Sequence, residues 1–217
     1  AIKKGAKVII TEKKVKEFQD EILFIQTKNI RKLLAQVSFK IFNQRPKNLI
    51  AVTGTNGKSS VAEFFYQILS LINNKVASIG TLGVKSKNFN LNLSNTTIDP
   101  IQLSEILYKL KNKKTEHVIM EASSHGLKQK RLDGLLFNSG IFTNLSQDHL
   151  DYHKNLNNYL NAKLYLFKNL IKKNGNLITD KNIPEFKKIK KIATDKKLKL
   201  FTINDKKNKS TIVTEHV

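Results

Sequence analysis

The stretch that most constrains this chain is the apolar run Leu49–Thr53, followed by Gly54-Thr55-Asn56-Gly57-Lys58-Ser59-Ser60 and then by apolar residues at Val61, Phe64, Phe65, Ile68, Leu69 and Ile72. A strand, a glycine-rich turn and an amphipathic helix in that order build a cradle for phosphate. The glycines let successive backbone N–H groups face an anion, the helix N-terminus adds partial positive charge, and Lys58 is placed to reach the terminal phosphates. Ser59 offers a hydroxyl to Mg²⁺. The match to G-x-x-x-x-G-K-[ST] is incomplete, because Val52 occupies the first glycine position. Taken alone, a Gly-Lys-Ser turn also fits an ordinary loop; the flanking strand and helix argue for a nucleotide. The motif names a ligand but no reaction.

From Leu49 onward strands and helices alternate, which predicts an α/β fold, a doubly wound, mostly parallel sheet around the phosphate loop. Strands are expected at Leu49–Thr53, Val76–Gly80, His117–Glu121, Gly140–Thr143 and Asn176–Thr179. Besides the helix after the loop, one is expected over Ile101–Leu110, where Asp99 can cap and Pro100 suits the first turn, and one over Leu156–Leu170. Residues 1–47 offer only strands at Val8–Thr11 and Ile22–Gln26 and a helix near Ile30–Phe42, too little to close a core. They read as the tail of a small N-terminal α/β domain, with residues 48–217 as a central nucleotide-binding domain. No closing element is visible at Thr214–Val217, so the chain is expected to be incomplete at both ends.

Composition narrows the partners. There is no cysteine, so thiolate metal sites and disulfides are excluded, and a metal has to be held by oxygen or imidazole. No apolar run approaches the roughly 18–20 residues that span a bilayer, and the N-terminus lacks signal-peptide architecture. A cytoplasmic protein with no membrane partner is expected. The net charge of +22 raises nucleic-acid binding. Against it, the only arginines are Arg31, Arg45 and Arg131, and the lysines are scattered over helix faces and tails such as 185–199.

Ligands of open parallel sheets bind at the carboxyl ends of the strands, and the other candidate residues sit there. Glu121-Ala-Ser123-Ser124-His125 ends one expected strand, and Thr143-Asn144 followed by Asp148-His149 ends the next. A carboxylate and an imidazole beside a phosphate loop can hold Mg²⁺ with phosphate and water completing the shell. Glu121 can equally be a solvated strand end, and His149 a structural hydrogen bond. Lys163 lies on the apolar stripe Leu156, Tyr159, Leu160, Leu164 and Phe167. An inward lysine either snorkels to water or loses its charge and becomes available for chemistry.

Together the runs TGTNGKSS, Asn95-Thr96-Thr97, MEASSHGLKQKR at 120–131, FTNLSQDHLDYH at 142–153 and NAKLYLF at 161–167 resemble the Mur ligases, and within them the MurE-type tripeptide synthetases, over residues 49–170. The resemblance implies ATP at Gly54, Thr55, Asn56, Gly57, Lys58, Ser59, Ser60 and Asn144. It implies a UDP-muramoyl-peptide at Asn95, Thr96, Thr97, Ser123, Gln129 and Arg131. Glu121 and His149 correspond to magnesium-site residues beside Ser59, and Lys163 to the lysine that CO₂ converts to a carbamate able to bind Mg²⁺. Catalytic roles would then fall to Lys58, Glu121, His149 and Lys163. Mild departures are Ser59-Ser60, Ile98, Ala122 and Gln147.

The implied reaction is ATP-dependent amide formation in peptidoglycan precursor synthesis, adding meso-diaminopimelate or L-lysine to UDP-N-acetylmuramoyl-L-Ala-D-Glu through an acyl phosphate. The implied partners are these small molecules alone, with the protein a monomer. In this family a C-terminal domain, expected to lie outside the chain, selects the amine. Rival readings are a related ligase acting on folate or a cyanophycin-like polymer, and a basic nucleotide- or RNA-binding module.

Overall fold

The computed structural model describes residues 2–14, 21–72 and 75–204. The N-terminal stretch forms β1 (Val8–Thr11), β2 (Leu23–Gln26) and α1 (Ile30–Ile41), with β1 and β2 a parallel two-stranded sheet. From residue 48 run β3 (Asn48–Thr53), α2 (Lys58–Leu71), β4 (Val76–Gly80), β5 (Gly83–Ser86), α3 (Pro100–Asn112), β6 (His117–Glu121), α4 (Ser124–Lys128) and β7 (Phe137–Phe142). They are followed by α5 (Leu150–His153), α6 (Leu156–Tyr165), β8 (Ile171–Asp180), α7 (Phe186–Asp195) and β9 (Lys199–Ile203). Seven strands make one sheet in the order β5-β4-β6-β3-β7-β8-β9, parallel except for the β4–β5 hairpin.

The central strands are apolar through their length because both faces of the sheet are covered there, as parallel sheets require. Five of the six residues of β3 and all of β4 are buried. One face carries the main core, in which Ala51, Met120 and Leu177 of the sheet meet Leu107 of α3, Leu164 of α6 and Ile189 of α7. Helix α1 joins it through Ala35 and Phe39 and packs on α3. The opposite face carries α2, where Ala62, Val61 and Phe65 cover Ile50, Val52 and Ile119.

On that second face the helix stripe is only partly covered. Of the apolar stripe on α2, Phe64, Ile68 and Ile72 are 61%, 60% and 63% exposed. The stripe is wider than the strip of sheet the helix touches, and no described residue covers its outer half.

The lysine-rich stretch 185–199 is also more than a charged surface. It forms α7 and the start of β9, with Ile189, Ile192 and Ala193 buried while the lysines between them face water. The stretch Leu156–Leu170 is not one uniform α-helix: from Leu166 to Leu170 it widens into a π turn that seats Phe167 and Leu170 in the core. Strand β5 and the short helices α4 and α5 had no clear periodicity, since 4–5 residues carry too little of it.

The start of α3 follows the expected chemistry. The Asp99 carboxylate accepts from the N–H groups of Ile101 and Gln102, both at 3.0 Å, and Pro100 opens the helix. Asp99→Ala is expected to cost about 1 kcal/mol. Denaturant titration checks this, and an unchanged midpoint would show that the cap adds nothing.

Candidate active site

Parallel pairing aligns the carboxyl ends of β3, β4, β6 and β7 along one edge: Val52 lies beside Glu121 and Thr53 beside Phe142. From the end of β3 the chain runs through α2 to β4 on one side, and from the end of the adjacent β6 it runs through α4 to β7 on the other, the reversal at which open sheets bind ligands. A cavity of about 550 Å³, lined by Tyr66, Lys75, Lys87 and Lys113 among others, includes residues at the amino-terminal ends of β4 and β6. It lies apart from the phosphate loop.

Gly57 caps α2 in the left-handed region, with φ 81°, and brings no side chain to the helix end, so the first N–H groups of α2 are available to an anion. Gly54 is required by crowding, since a Cβ there would meet Thr143 Oγ1 at 1.8 Å. The loop is fastened to the segment after β7. Thr55 N–H donates to the Asn144 carbonyl (3.0 Å), Asn56 N–H to the Asn144 carboxamide oxygen (3.0 Å), and Thr143 Oγ1 to the Asn56 carbonyl (2.7 Å). Asn144 therefore holds the phosphate loop in shape. Lys58 Nζ curls over the loop and donates to the carbonyls of Gly54 (3.2 Å) and Thr55 (2.8 Å). Burial lowers its pKa, and the Glu121 and Asp148 charges oppose that shift.

Glu121 is 3% exposed, so the solvated-strand-end reading fails. Its carboxylate accepts from Ser59 Oγ (3.0 Å), from Thr81 N–H (2.8 Å) and from Thr81 Oγ1 (3.3 Å). A Cβ on Gly80 would stand 2.2 Å from Glu121 Oε1. Gly80→Ala is therefore expected to push the carboxylate off Ser59 and lower nucleotide-dependent turnover roughly 10²-fold, as loss of a pre-organised charge does. Steady-state assay checks it; turnover equal to the parent would mean that Glu121 has room to move without consequence.

Lys163 does not snorkel. It is 1% exposed, its Nζ donates to the Gly54 carbonyl at 2.6 Å and sits 4.1 Å from the centre of the Tyr159 ring. Burial, reinforced by the Lys58 charge, pulls its pKa down to about 7, with Asp148 opposing. Half of the amine is then neutral near pH 7.

His149 is half-exposed at the start of α5, in a left-handed conformation (φ 51°). Its ring lies 3.4 Å from the Asp148 carboxylate and edge-on to His125 and Tyr159. The structure thus unites Ser59 with Glu121, and Lys163 with the phosphate loop, while the nearest partners of His149 lie in its own loop and in α4 and α6. Among the described residues no three His, Asp or Glu side chains gather as a metal-binding group. The oxygen donors of Ser59 and Glu121 suit magnesium, which keeps several waters and takes few protein ligands.

The expected substrate residues form a second layer. Thr97 Oγ1 donates to the Glu121 carbonyl (2.9 Å) and accepts from Ser123 N–H (2.9 Å). Thr96 Oγ1 lies 3.0 Å from Thr81 Oγ1. Ser123 caps α4 by accepting from Gly126 N–H (3.1 Å). Arg131 donates to the Thr97 carbonyl and to the Gln129 side chain. Asn95 is exposed and donates to Ser94.

Thr81 is absent from the candidates read from the sequence, and Thr143, named at a strand end, and Tyr159, named on an apolar stripe, carried no role there. Thr81 directly follows the carboxyl end of β4, and that position was the available signal. His153 was quoted without a role: it is fully buried, 3.0 Å from Ser124 Oγ, and burial pulls its pKa down to about 4.

Residues 52–217 match the Mur ligase middle domain, well over half of the chain. The chain belongs to the Mur ligase family. A UDP-N-acetylmuramoyl-L-alanyl-D-glutamate--2,6-diaminopimelate ligase of Rickettsia bellii (strain RML369-C) is 42% identical over 207 residues, covering 94% of this chain and 43% of the relative. The enzyme of the same name from Bradyrhizobium diazoefficiens is 44% identical over 155 residues, 71% of this chain and 32% of the relative. A solved structure of a ligase with that name superposes with a TM-score of 0.79 at 27% identity, over 95% of this chain and 42% of the other. A FolC structure with DHPP and ADP shares the fold alone, with a TM-score of 0.63 at 16% identity, over 81% of this chain and 47% of the other. The chain thus spans less than half the length of these relatives. No helix among the described residues is long and apolar enough to cross a membrane.

Proposed function

We propose that this chain is the nucleotide-binding and acid-activating part of an ATP-dependent ligase that joins 2,6-diaminopimelate to UDP-N-acetylmuramoyl-L-Ala-D-Glu. The observation that carries the reading is the meeting, on one sheet edge, of an anion cradle with a buried lysine whose Nζ touches the cradle at 2.6 Å. The choice of diaminopimelate over L-lysine rests on the names of relatives such as the 42% and 44% identical ligases. The domain boundary near residue 47, a monomeric state and a cytoplasmic location belong to the same proposal.

The chemistry balances in two steps. A carboxylate oxygen of the D-glutamyl residue bonds to the γ-phosphorus as ADP departs, giving an acyl phosphate; the amine nitrogen then bonds to the carbonyl carbon as phosphate departs, and the nitrogen's extra proton passes to solvent or to the released phosphate. Phosphoryl transfer of this kind is mainly positioning and charge neutralisation. The loop N–H groups at Gly57 and the start of α2 hold phosphate oxygens, and Lys58 swings from the Gly54 and Thr55 carbonyls onto the terminal phosphate. Ser59 and Glu121 would hold magnesium, and Lys163 would add an oxygen donor if CO₂ bonds to its neutral amine as a carbamate. The metal, when bound, supplies positive charge against the transferring phosphoryl group. Arg131 orients an acidic group of the UDP-peptide, a role suited to its planar fork of donors.

Phosphate release by the complete protein tests this. Release should require ATP, Mg²⁺, UDP-N-acetylmuramoyl-L-Ala-D-Glu and diaminopimelate together. ATP binding with no release for any UDP-peptide and amine would reject the reading in favour of another acceptor, such as a folate.

A further inference from the structure

The Gln129 carboxamide connects two groups that the reaction above keeps apart. Its Oε1 accepts from Arg131 Nε (3.0 Å) and from Arg131 Nη2 (2.7 Å), and its Nε2 donates to the Tyr152 hydroxyl oxygen (3.2 Å). Arg131 Nη1 donates to the Thr97 carbonyl. An arginine has no acceptor and a carboxamide has only one oxygen, so the amide must turn that oxygen to Arg131. Its NH₂ end then needs an acceptor on the other side, and Tyr152 supplies it. Three of the five guanidinium donors are thereby held, leaving one on each terminal nitrogen for an incoming oxyanion.

Tyr152 is itself fixed. Its ring lies against His125, with centroids 4.1 Å apart and planes 31° apart, and Lys128 Nζ stands 4.5 Å from the ring centre. It sits on α5, three residues beyond His149, and His125 touches the His149 ring edge-on at 4.9 Å. The helical turn that carries His149 is therefore also the turn that holds Gln129.

We infer that Tyr152 is a positioning residue: its hydroxyl orients the Gln129 carboxamide and so presents Arg131 to the acidic part of the UDP-peptide. The inference rests on the substrate role proposed above for Arg131. Without the hydroxyl, the amide can rotate, and Arg131 loses a fixed acceptor while every packing contact of the ring remains.

Tyr152→Phe isolates the hydroxyl, and two readouts test it. The 217-residue chain has three arginines, so its Arg Nε–H resonances are few enough to assign. The Arg131 proton should exchange slowly with solvent in the parent and about 5–10-fold faster in Tyr152→Phe, the scale of one net hydrogen bond. In the complete protein, KM for the UDP-peptide should rise by a similar ~5–10-fold, with kcat and KM for ATP held. Unchanged exchange and unchanged KM would overturn the inference. So would a raised KM with unchanged exchange, which places the loss in α5 packing. If the parent binds ATP but turns over no UDP-peptide, the substrate reading falls and the role of Tyr152 falls with it; the exchange experiment still reports whether the hydrogen-bond chain exists.

Discussion

Lys163→Met should abolish ligation while leaving the protein at least as stable as the parent at pH 6. The two halves of this result come from one feature, a lysine 1% exposed whose amine lies between the Gly54 carbonyl and the Tyr159 ring. In the folded state its pKa lies near 7; in the unfolded chain it returns toward 10.5. Between those values the unfolded state binds the extra proton, so stability rises with pH from about 7 to about 10, and below that range the protein bears the full cost of a buried ammonium. Methionine fills a similar volume without a charge, which removes that cost. What it removes as well is the nucleophile for CO₂. Lys163→Ala, which leaves space at the same position, should be inactive and should recover partly when formate or acetate is added, since a free carboxylate can stand where the carbamate would. At a fixed CO₂ concentration, parent activity should climb as pH rises through 7, because only the neutral amine reacts. Phosphate release across pH 6–8, with and without added carboxylate, measures all of this. Full activity in Lys163→Ala without added carboxylate would reject the carbamate.

Lys58→Ala should lower phosphate release by at least roughly 10²–10³-fold, the loss associated with one pre-organised charge donor. Lys58 rests on two carbonyls of the loop itself, within reach of a phosphate in the cradle, and although burial lowers its pKa the neighbouring Glu121 and Asp148 charges oppose that shift. The protein should remain folded, because the hydrogen bonds that fasten the loop run from Thr55 and Asn56 to Asn144 and do not pass through Lys58. Circular dichroism together with turnover separates the two outcomes: native ellipticity with lost turnover is expected, and native turnover would remove Lys58 from the mechanism.

What could be read from the sequence followed the length of each signal. Strand β3, the glycine loop and α2 form one continuous pattern, and the structure reproduces it from Asn48 to Leu71. Asp99-Pro100 announced α3 because capping is a local interaction. Lys163 could be flagged as inward from its stripe, but periodicity cannot tell a snorkelling lysine from a sealed one. That distinction depends on Gly54 and Tyr159, the first of them 109 residues away in the chain. Thr81 and Tyr152 escaped for the same reason: each acts on a side chain tens of residues distant, Glu121 in one case and Gln129 in the other. The exposed outer half of the α2 stripe lay beyond the sequence, because an amphipathic pattern shows which face is apolar and not how much of that face the sheet covers.

The most direct test of the central claim is to follow the oxygen. With ¹⁸O in the D-glutamyl carboxylate of UDP-N-acetylmuramoyl-L-Ala-D-Glu, and with ATP, Mg²⁺ and diaminopimelate, the complete protein should release phosphate carrying one ¹⁸O atom. The bridging oxygen of an acyl phosphate leaves with phosphorus when the amine attacks. Phosphate free of label, released alongside amide product, would contradict activation of the acid at this site.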